Sequence, residues 1–325
     1  MTNFERKFCV APMMNWTDRH CRSFMRLISS QAVLYTEMIT TGAILHGDAH
    51  YHLDLNSDES PVALQLGGSN PQELSNCVKL IENYSYDEIN LNCGCPSDRV
   101  QNGMFGAVMM KNAKLTANCI SALLDTSELP ISVKHRIGVD DFDSYDFLCD
   151  FVETVSNTGC STFIIHARKA WLKGLSPKQN REIPELNYDR VYQLKQDFPE
   201  LEIIINGGIS SIQDSVDHLH ELDGVMIGRE AYTNPYLLAE VDQKIYGKKK
   251  SVIKREEIAE KFCQYVDNEM VKGEKLHSMT RHILGLFRGV KGAKQFRRHI
   301  SENAQGEKAS IDVLYNALKK VGEIS

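Results

Sequence analysis

Eight short apolar runs, separated by helical patterns, constrain this chain more than any other feature of its 325 residues. They begin at Phe8 (FCVA), Val33 (VLYTEM), Val62 (VALQL), Glu88 (EINLN), Ile131 (ISVKH), Thr162 (TFIIH), Glu202 (EIIIN) and Gly224 (GVMIG). Most are almost continuously apolar, as strands are when helices cover both faces of a parallel sheet. Helix signatures fill the intervals. Asn70-Pro71-Gln72-Glu73 opens a helix through Leu80, and a Ser-rich cap precedes another from Asp214 to Leu222. Eight such units in about 230 residues is the arithmetic of an α/β fold of the (β/α)8 TIM-barrel kind. A doubly wound sheet rarely needs eight units this regular, and no GxGxxG follows the first run.

A barrel of this kind gathers its chemistry at the C-terminal ends of its strands. Here those ends read Pro12-Met13-Met14, Glu37, Gln65, Asn92 with Cys93 to Pro96, Lys134, His166, Asn206-Gly207-Gly208 and Gly228-Arg229. One polar residue at such a place is more often structural; this many at equivalent places is a site. The small residues after runs seven and eight let backbone N–H groups approach a phosphate, and Arg229 adds a cation. Tight turns are the plainer reading of the same glycines. Lys134 and His166 face the same mouth and suit an electron-rich ring. Phosphate and ring together point to a mononucleotide cofactor, with FMN the leading candidate.

Cys93 and Cys95 stand one residue apart, with no further His or Cys nearby to complete a zinc site, and a disulfide between them would be strained. No metal is expected. A thiol in a turn rich in backbone N–H groups can act as a proton donor. An ordinary buried loop cysteine is the alternative. Cys95, between Gly94 and Pro96, lies in the more rigid turn and is preferred to Cys93.

Charge adds a second theme. The net charge of −6 argues against a nucleic-acid binder, but residues 1–243 hold 19 Lys+Arg against 33 Asp+Glu while residues 244–325 hold 18 against 10. From Lys275 to Ser301 there is no acid at all. Clustered, uncompensated cations are what a phosphate backbone rewards, although a basic face is often merely solvated. The expected organisation is a barrel over 1–243, a linker over 244–251 around Tyr246 to Ser251, and a helical domain over 252–325. Its helices should span Glu256 to Met270, Leu276 to Phe287 and Ile311 to Val321. Nine cysteines without a CxxC pair, an N-terminus (MTNFERK) unlike a signal peptide and no long apolar run predict a cytoplasmic protein with reduced thiols and no membrane contact. Monomer is the default expectation, with no obligate protein partner.

Together these motifs resemble the tRNA-dihydrouridine synthases. The resemblance rests on Val10-Ala11-Pro12-Met13-Met14, Leu64-Gln65-Leu66-Gly67, Asn90 to Pro96 (NLNCGCP) and Val133-Lys134-His135-Arg136. It continues through Ile165-His166-Ala167-Arg168, Ile205-Asn206-Gly207-Gly208 and Met226-Ile227-Gly228-Arg229. His166 to Pro184 and Thr280 to Arg298 are similar to the bacterial A-type subfamily in particular, and the likeness covers essentially the whole chain. It implies an FMN enzyme that reduces uridine to 5,6-dihydrouridine in the tRNA D-loop, at positions 20 and 20a, with NADPH restoring the flavin. It implies transfer of the flavin N5 hydride to C6 of uracil and protonation of C5 by Cys95 from the opposite face. Pro12, Met13, Met14 and Gln65 would line the isoalloxazine, Lys134 and His166 its pyrimidine side. Asn206, Gly207, Gly208, Gly228 and Arg229 would hold the phosphate.

By the same resemblance Asn92 would contact the target nucleotide, while Lys178 and Arg181 would touch tRNA. The acid-free window would grip the polyanion, led by Arg288, Lys294, Arg297 and Arg298. A target base inside folded tRNA must be extruded to reach a barrel mouth. Cys93 departs from the family pattern and raises the question whether it could rescue a Cys95 variant. Two rivals stay open: a small-molecule FMN oxidoreductase acting on a pyrimidine, and a non-catalytic tRNA-binding module.

Overall fold

The computed structural model describes residues 4–97, 100–101, 103–249, 251–306 and 309–322. Residues 1–3 and 323–325 of the expected domains, and Lys250 of the expected linker, lie outside these. Eight parallel strands close into a barrel: β1 (Phe8–Val10), β2 (Val33–Thr40), β3 (Val62–Gly67), β4 (Glu88–Cys93), β5 (Ile131–Arg136), β6 (Thr162–His166), β7 (Glu202–Asn206) and β8 (Gly224–Ile227). Each begins at the residue that opens its apolar run. Strand order follows chain order, and β1 closes on β8 with Cys9 opposite Met226. Glu37 falls inside β2, which carries an irregularity between Tyr35 and Met38 and runs on to Thr40.

The barrel core is filled by residues including Tyr35, Ala63, Ile164, Ile204 and Met226, all fully buried. At the N-terminal ends of the strands lies a buried ionic floor. Arg6 donates from Nε to Glu88 at 2.6 Å and from Nη1 to Glu202 at 3.0 Å. Tyr35 and Ser132 both donate to the other Glu88 oxygen. Breaking such a buried pair is costly because it strands a charge, so this end serves stability.

The chain packs as two compact units, Met1–Met14 with Val33–Gly228, and Asn15–Ala32 with Arg229–Ser325. The boundary therefore falls at Arg229, ahead of the expected break near Gln243, and the helix Arg19–Ile28 joins the C-terminal residues. Its partners explain why. Phe24 meets Phe262 edge-on at 4.8 Å, and His20 Nδ1 lies 2.7 Å from the Tyr265 hydroxyl. Asp18 caps the helix and bonds Arg281 and His282, and Ser29, Ser30 and Gln31 all bond Asp242.

Within this second unit, the helix Arg255–Val271 matches its expected span. The stretch from Leu276 to Phe287 is not one helix. It breaks after Thr280 into turns and a 3-10 turn at Ile283–Gly285. There Arg281 and His282 turn to Asp18, and Gly285 packs so close that a Cβ would lie 2.7 Å from the Thr233 carbonyl. The last helix is Asp312–Leu318. Among the described residues no helix is long and apolar enough to cross a membrane.

Candidate active site

Strand alternation decides which side chains reach the mouth. Along β4, Asn90 and Asn92 point inward and join an amide chain. Gln65 Nε2 donates to Asn90 Oδ1 at 2.7 Å, Asn92 Nδ2 donates to Gln65 Oε1 at 2.8 Å, and Asn90 Nδ2 donates to Ser132 Oγ at 2.7 Å. Ser132 bonds Glu88, so the ionic floor is wired to the mouth. Asn92 is buried, and its Oδ1 accepts from the amides of Gly94 (3.1 Å) and Cys95 (3.0 Å). Its visible work is to shape the cysteine turn.

That turn is fixed at every backbone polar atom it has. Besides the two amides held by Asn92, the Gly94 carbonyl accepts from Arg136 Nε at 3.0 Å, the Cys95 carbonyl from the Ala107 amide at 2.9 Å and the Pro96 carbonyl from Gln101 Nε2 at 2.8 Å. Pro96 has no N–H to place. Cys95 is half-buried, and its Sγ lies 3.6 Å from Ser97 Oγ. Cys93, being on the opposite side of the pleat, is wholly buried and faces Thr116 and Cys119, and burial pushes its thiol well up. Two thiols one residue apart thus occupy different compartments, and Cys93 has no route to the mouth.

Facing the turn is a cluster of nitrogens. Asn92 pairs in register with Lys134, Arg136 with His166, and His166 with Asn206. Lys134 Nζ donates to Asn206 Oδ1 at 2.9 Å, and Asn206 Nδ2 is itself fixed by the Met226 carbonyl at 2.7 Å. Burial, with help from the Arg136 charge, pushes Lys134 down to about 7. Burial likewise lowers Arg136 to about 10, and the nearby Cys95 works against that shift. His166 lies well below its ordinary value because it is desolvated and surrounded by Arg136, Lys134, Arg168 and Arg181. Its imidazole is therefore held in the neutral form, and its buried Nδ1 has no hydrogen-bond partner among the described residues. Among the described residues no carboxylate bonds Lys134, Arg136 or His166. Desolvated cations with an orphaned ring nitrogen fit an electron-rich, anionic heterocycle.

The ends of β7 and β8 carry the glycines of the expected phosphate loop. Gly208 has φ +74°, and a Cβ there would lie 2.5 Å from Leu186 Cδ1 and 2.8 Å from the Tyr188 hydroxyl. Tyr188 also donates to the Gly207 carbonyl at 2.7 Å. Gly228 leaves a Cβ only ordinary contacts with Ala11 and Met13. Pro12 and Met13 are half-buried and Met14 is exposed. Arg229 is exposed and opens the short helix Arg229–Thr233, which belongs to the second unit.

Lys178 precedes and Arg181 ends a 3-10 turn, Gln179–Arg181, on the loop after β6, and both are exposed. In the second unit the helix Ala293–Asn303 buries Ala293, Phe296 and Ile300 on one side and exposes Lys294, Arg297 and Arg298 on the other. Arg298 pairs with Glu302 at 2.7 Å, and Arg288 with Glu230 at 2.7 Å. Lys294 and Arg297 have no ion pair among the described residues. His20, Glu269 and Glu274 stand close enough to hold a metal, but Arg19 bonds both carboxylates, at 2.6 and 2.8 Å.

Sequence reasoning gave no role to Arg136, Gln101 or Asn180. Arg136 and Gln101 act on backbone carbonyls, which leave no trace in residue pattern. Asn180 is fully buried and closes its own loop through Trp171, a short-range pattern legible only once the loop is folded.

A family model described as dihydrouridine synthase (Dus) matches residues 9–321. The chain is 57% identical over 318 residues to a protein of Escherichia coli (strain K12) named tRNA-dihydrouridine(20/20a) synthase, covering 98% of this chain and 92% of that one. A protein of the same name from Vibrio vulnificus (strain CMCP6) is 57% identical over 316 residues, covering 97% of each. Among solved structures, a 2-naphthoyl-CoA reductase in complex with 2-naphthoyl-CoA superposes with TM-score 0.58 at 9% identity. That match covers 76% of this chain and about half (51%) of the solved one, a likeness of fold alone.

Proposed function

The chain belongs to the dihydrouridine synthase family, and on that premise we propose that it reduces uridine to 5,6-dihydrouridine in tRNA. The sites are positions 20 and 20a of the D-loop, FMN is the bound cofactor and NADPH the reductant. When bound, the flavin supplies the two reducing equivalents that saturate the C5–C6 bond of uracil.

The chain's own residues do the rest. Lys134 and His166 hold the pyrimidine side of the ring, Gln65 and the Pro12 to Met14 segment line it, and Asn206, Gly207, Gly208, Gly228 and Arg229 receive the phosphate. Cys95 donates the proton to C5 from its Sγ, leaving a thiolate. Lys134 and Arg136 lie within electrostatic reach of that sulfur and stabilise the negative charge. The observation that carries this reading is the pairing of a cysteine turn held at each backbone polar atom with cations that no carboxylate among the described residues neutralises. Lys178 and Arg181 on the β6 loop, and Lys294, Arg297, Arg288 and Arg298 in the second unit, bind the tRNA backbone. A tRNA substrate and nine free thiols fit a reducing cytoplasm.

One cuvette tests the proposal. The purified protein should show a flavin band that NADPH bleaches without oxygen and that returns on adding unmodified tRNA. Cys95→Ala should slow the return by about a hundredfold or more, the scale of a lost general acid, and leave the bleaching intact. Return on free uridine but not on tRNA would favour a small-molecule pyrimidine reductase. A protein without flavin would favour a tRNA-binding module.

A further inference from the structure

The two carbonyls that flank Cys95 are held by side chains that also hold the loop after β6. Gln101 Nε2 donates to the Pro96 carbonyl at 2.8 Å and to the Leu172 carbonyl at 2.6 Å, so both of its amide hydrogens are engaged. On the other flank, Arg136 binds the Gly94 carbonyl through Nε. Through Nη1 it binds the carbonyls of Lys169 (3.1 Å) and Asn180 (2.9 Å). The cysteine turn and residues 169–181 are therefore stapled together on both sides of the thiol.

The loop is closed by hydrogen bonds of its own. Buried Asn180 accepts from the Trp171 amide at 2.7 Å and donates to the Trp171 carbonyl at 2.9 Å. The Leu172 amide donates to Asp140 Oδ1 at 2.8 Å. Its outer rim carries Lys173, Lys178 and Arg181, all exposed. One closed loop thus presents cations outward and braces Cys95 inward.

We propose that Gln101 is a positioning residue for Cys95, and that the 169–181 loop is the scaffold against which it positions it. The inference rests on the reading of Cys95 as the proton donor. Gln101 touches no reacting atom. It keeps the Pro96 carbonyl, and with it the Sγ, from swinging away from the loop. Proton transfer is sensitive to such placement, since a displacement of about 1 Å can cost about a hundredfold.

The test uses the flavin-loaded enzyme and separates its two half-reactions. Gln101→Met keeps the side chain's length but donates nothing; Gln101→Glu keeps its shape and places a carboxylate against two carbonyls. Either should leave NADPH-driven bleaching unchanged and, at saturating tRNA, slow tRNA-driven return of the flavin band by about ten- to a hundredfold. On a Cys95→Ala background the same change should slow the return by less than about twofold, because there is no thiol left to position. Hydrogen exchange, read without turnover, should rise together at the Gly94 and Cys95 amides and at the Trp171 and Leu172 amides.

Undiminished return in both variants, full multiplication of the effect on the Cys95→Ala background, or equal loss of bleaching and return would each overturn the inference. So would exchange that rises in the turn alone. Failure of the underlying reading shows elsewhere: Cys95→Ala would itself return at the wild-type rate, whatever Gln101 does.

Discussion

Lys134 meets one neutral acceptor, Asn206 Oδ1, and burial pushes its ammonium down to about 7. A bound electron-rich ring favours the charged form and raises that value. Between the two values, binding takes up a proton, so affinity falls as pH rises above about 7, by up to about tenfold per pH unit. His166 stays neutral throughout this window, because its value is displaced further down, and adds no slope. Titrating flavin-free protein with FMN between pH 7.5 and 9 should show this decline, and Lys134→Met should bind more weakly with a flat profile. A wild-type profile without slope would remove Lys134 from the ring. Gln65, Asn92, Lys134, His166 and Asn206 could be named from sequence because each is a polar side chain toward the end of a strand, where polarity is conspicuous. The choice of Cys95 over Cys93 rested on the turn's rigidity, while the stronger reason is the pleat that turns Cys93 toward Thr116 and Cys119. The role of Arg136 is invisible in sequence because its partners are carbonyls of residues 94, 169 and 180.

At the scale of elements, the loop after β7 has a backbone conformation that favours glycine at the place proposed to receive the phosphate. Gly208→Ala would force an L residue to φ +74° and drive a Cβ into Leu186 and Tyr188. The left-handed conformation alone costs about 1–2 kcal/mol, and displacement of Tyr188 would loosen the Gly207 carbonyl it holds. The variant should melt lower and weaken FMN binding by about tenfold or more, measured as flavin retained per protein after dialysis. Full retention would show that the phosphate does not use this loop. The eight strand starts were legible because β-branched runs are local and long enough to declare themselves. The helix Arg255–Val271 was legible for the same reason, with its buried Ile258, Phe262 and Val266 at helical spacing. Residues 276–287 were not. Their local pattern is helical, but Asp18 and the backbone at Thr233 draw Arg281, His282 and Gly285 out of it, and partners so distant in sequence leave no periodic signal.

Over the whole molecule the charge asymmetry survives a change of boundary. Divided where packing divides it, the chain has 15 Lys+Arg against 29 Asp+Glu in the barrel unit and 22 against 14 in the other. The same contrast appears with the cut near Gln243, since the residues that change sides nearly cancel. What the sequence could not show is how many cations are already neutralised. Arg19, Arg281, Arg288 and Arg298 each hold a carboxylate, leaving Lys275, Lys291, Lys294 and Arg297 as exposed cations without an ion pair among the described residues of the acid-free window. A phosphate competing for Arg298 must first displace Glu302, whereas Lys294 and Arg297 need give up only water and counterions. Their energetic weights should therefore differ although the residue types match. Lys294→Glu with Arg297→Glu should weaken tRNA binding by about tenfold or more near 0.1 M salt. It should also reduce the slope of log affinity against log salt by about two, one for each lost phosphate contact. Arg298→Ala should change the slope by less than one, because Arg298 is already paired with Glu302 and makes a weaker phosphate contact. Flavin content should stay constant in all of these variants. Measuring tRNA affinity at four salt concentrations decides the matter: an unchanged slope in the double variant would mean that this helix face is solvated surface and that the polyanion is gripped elsewhere.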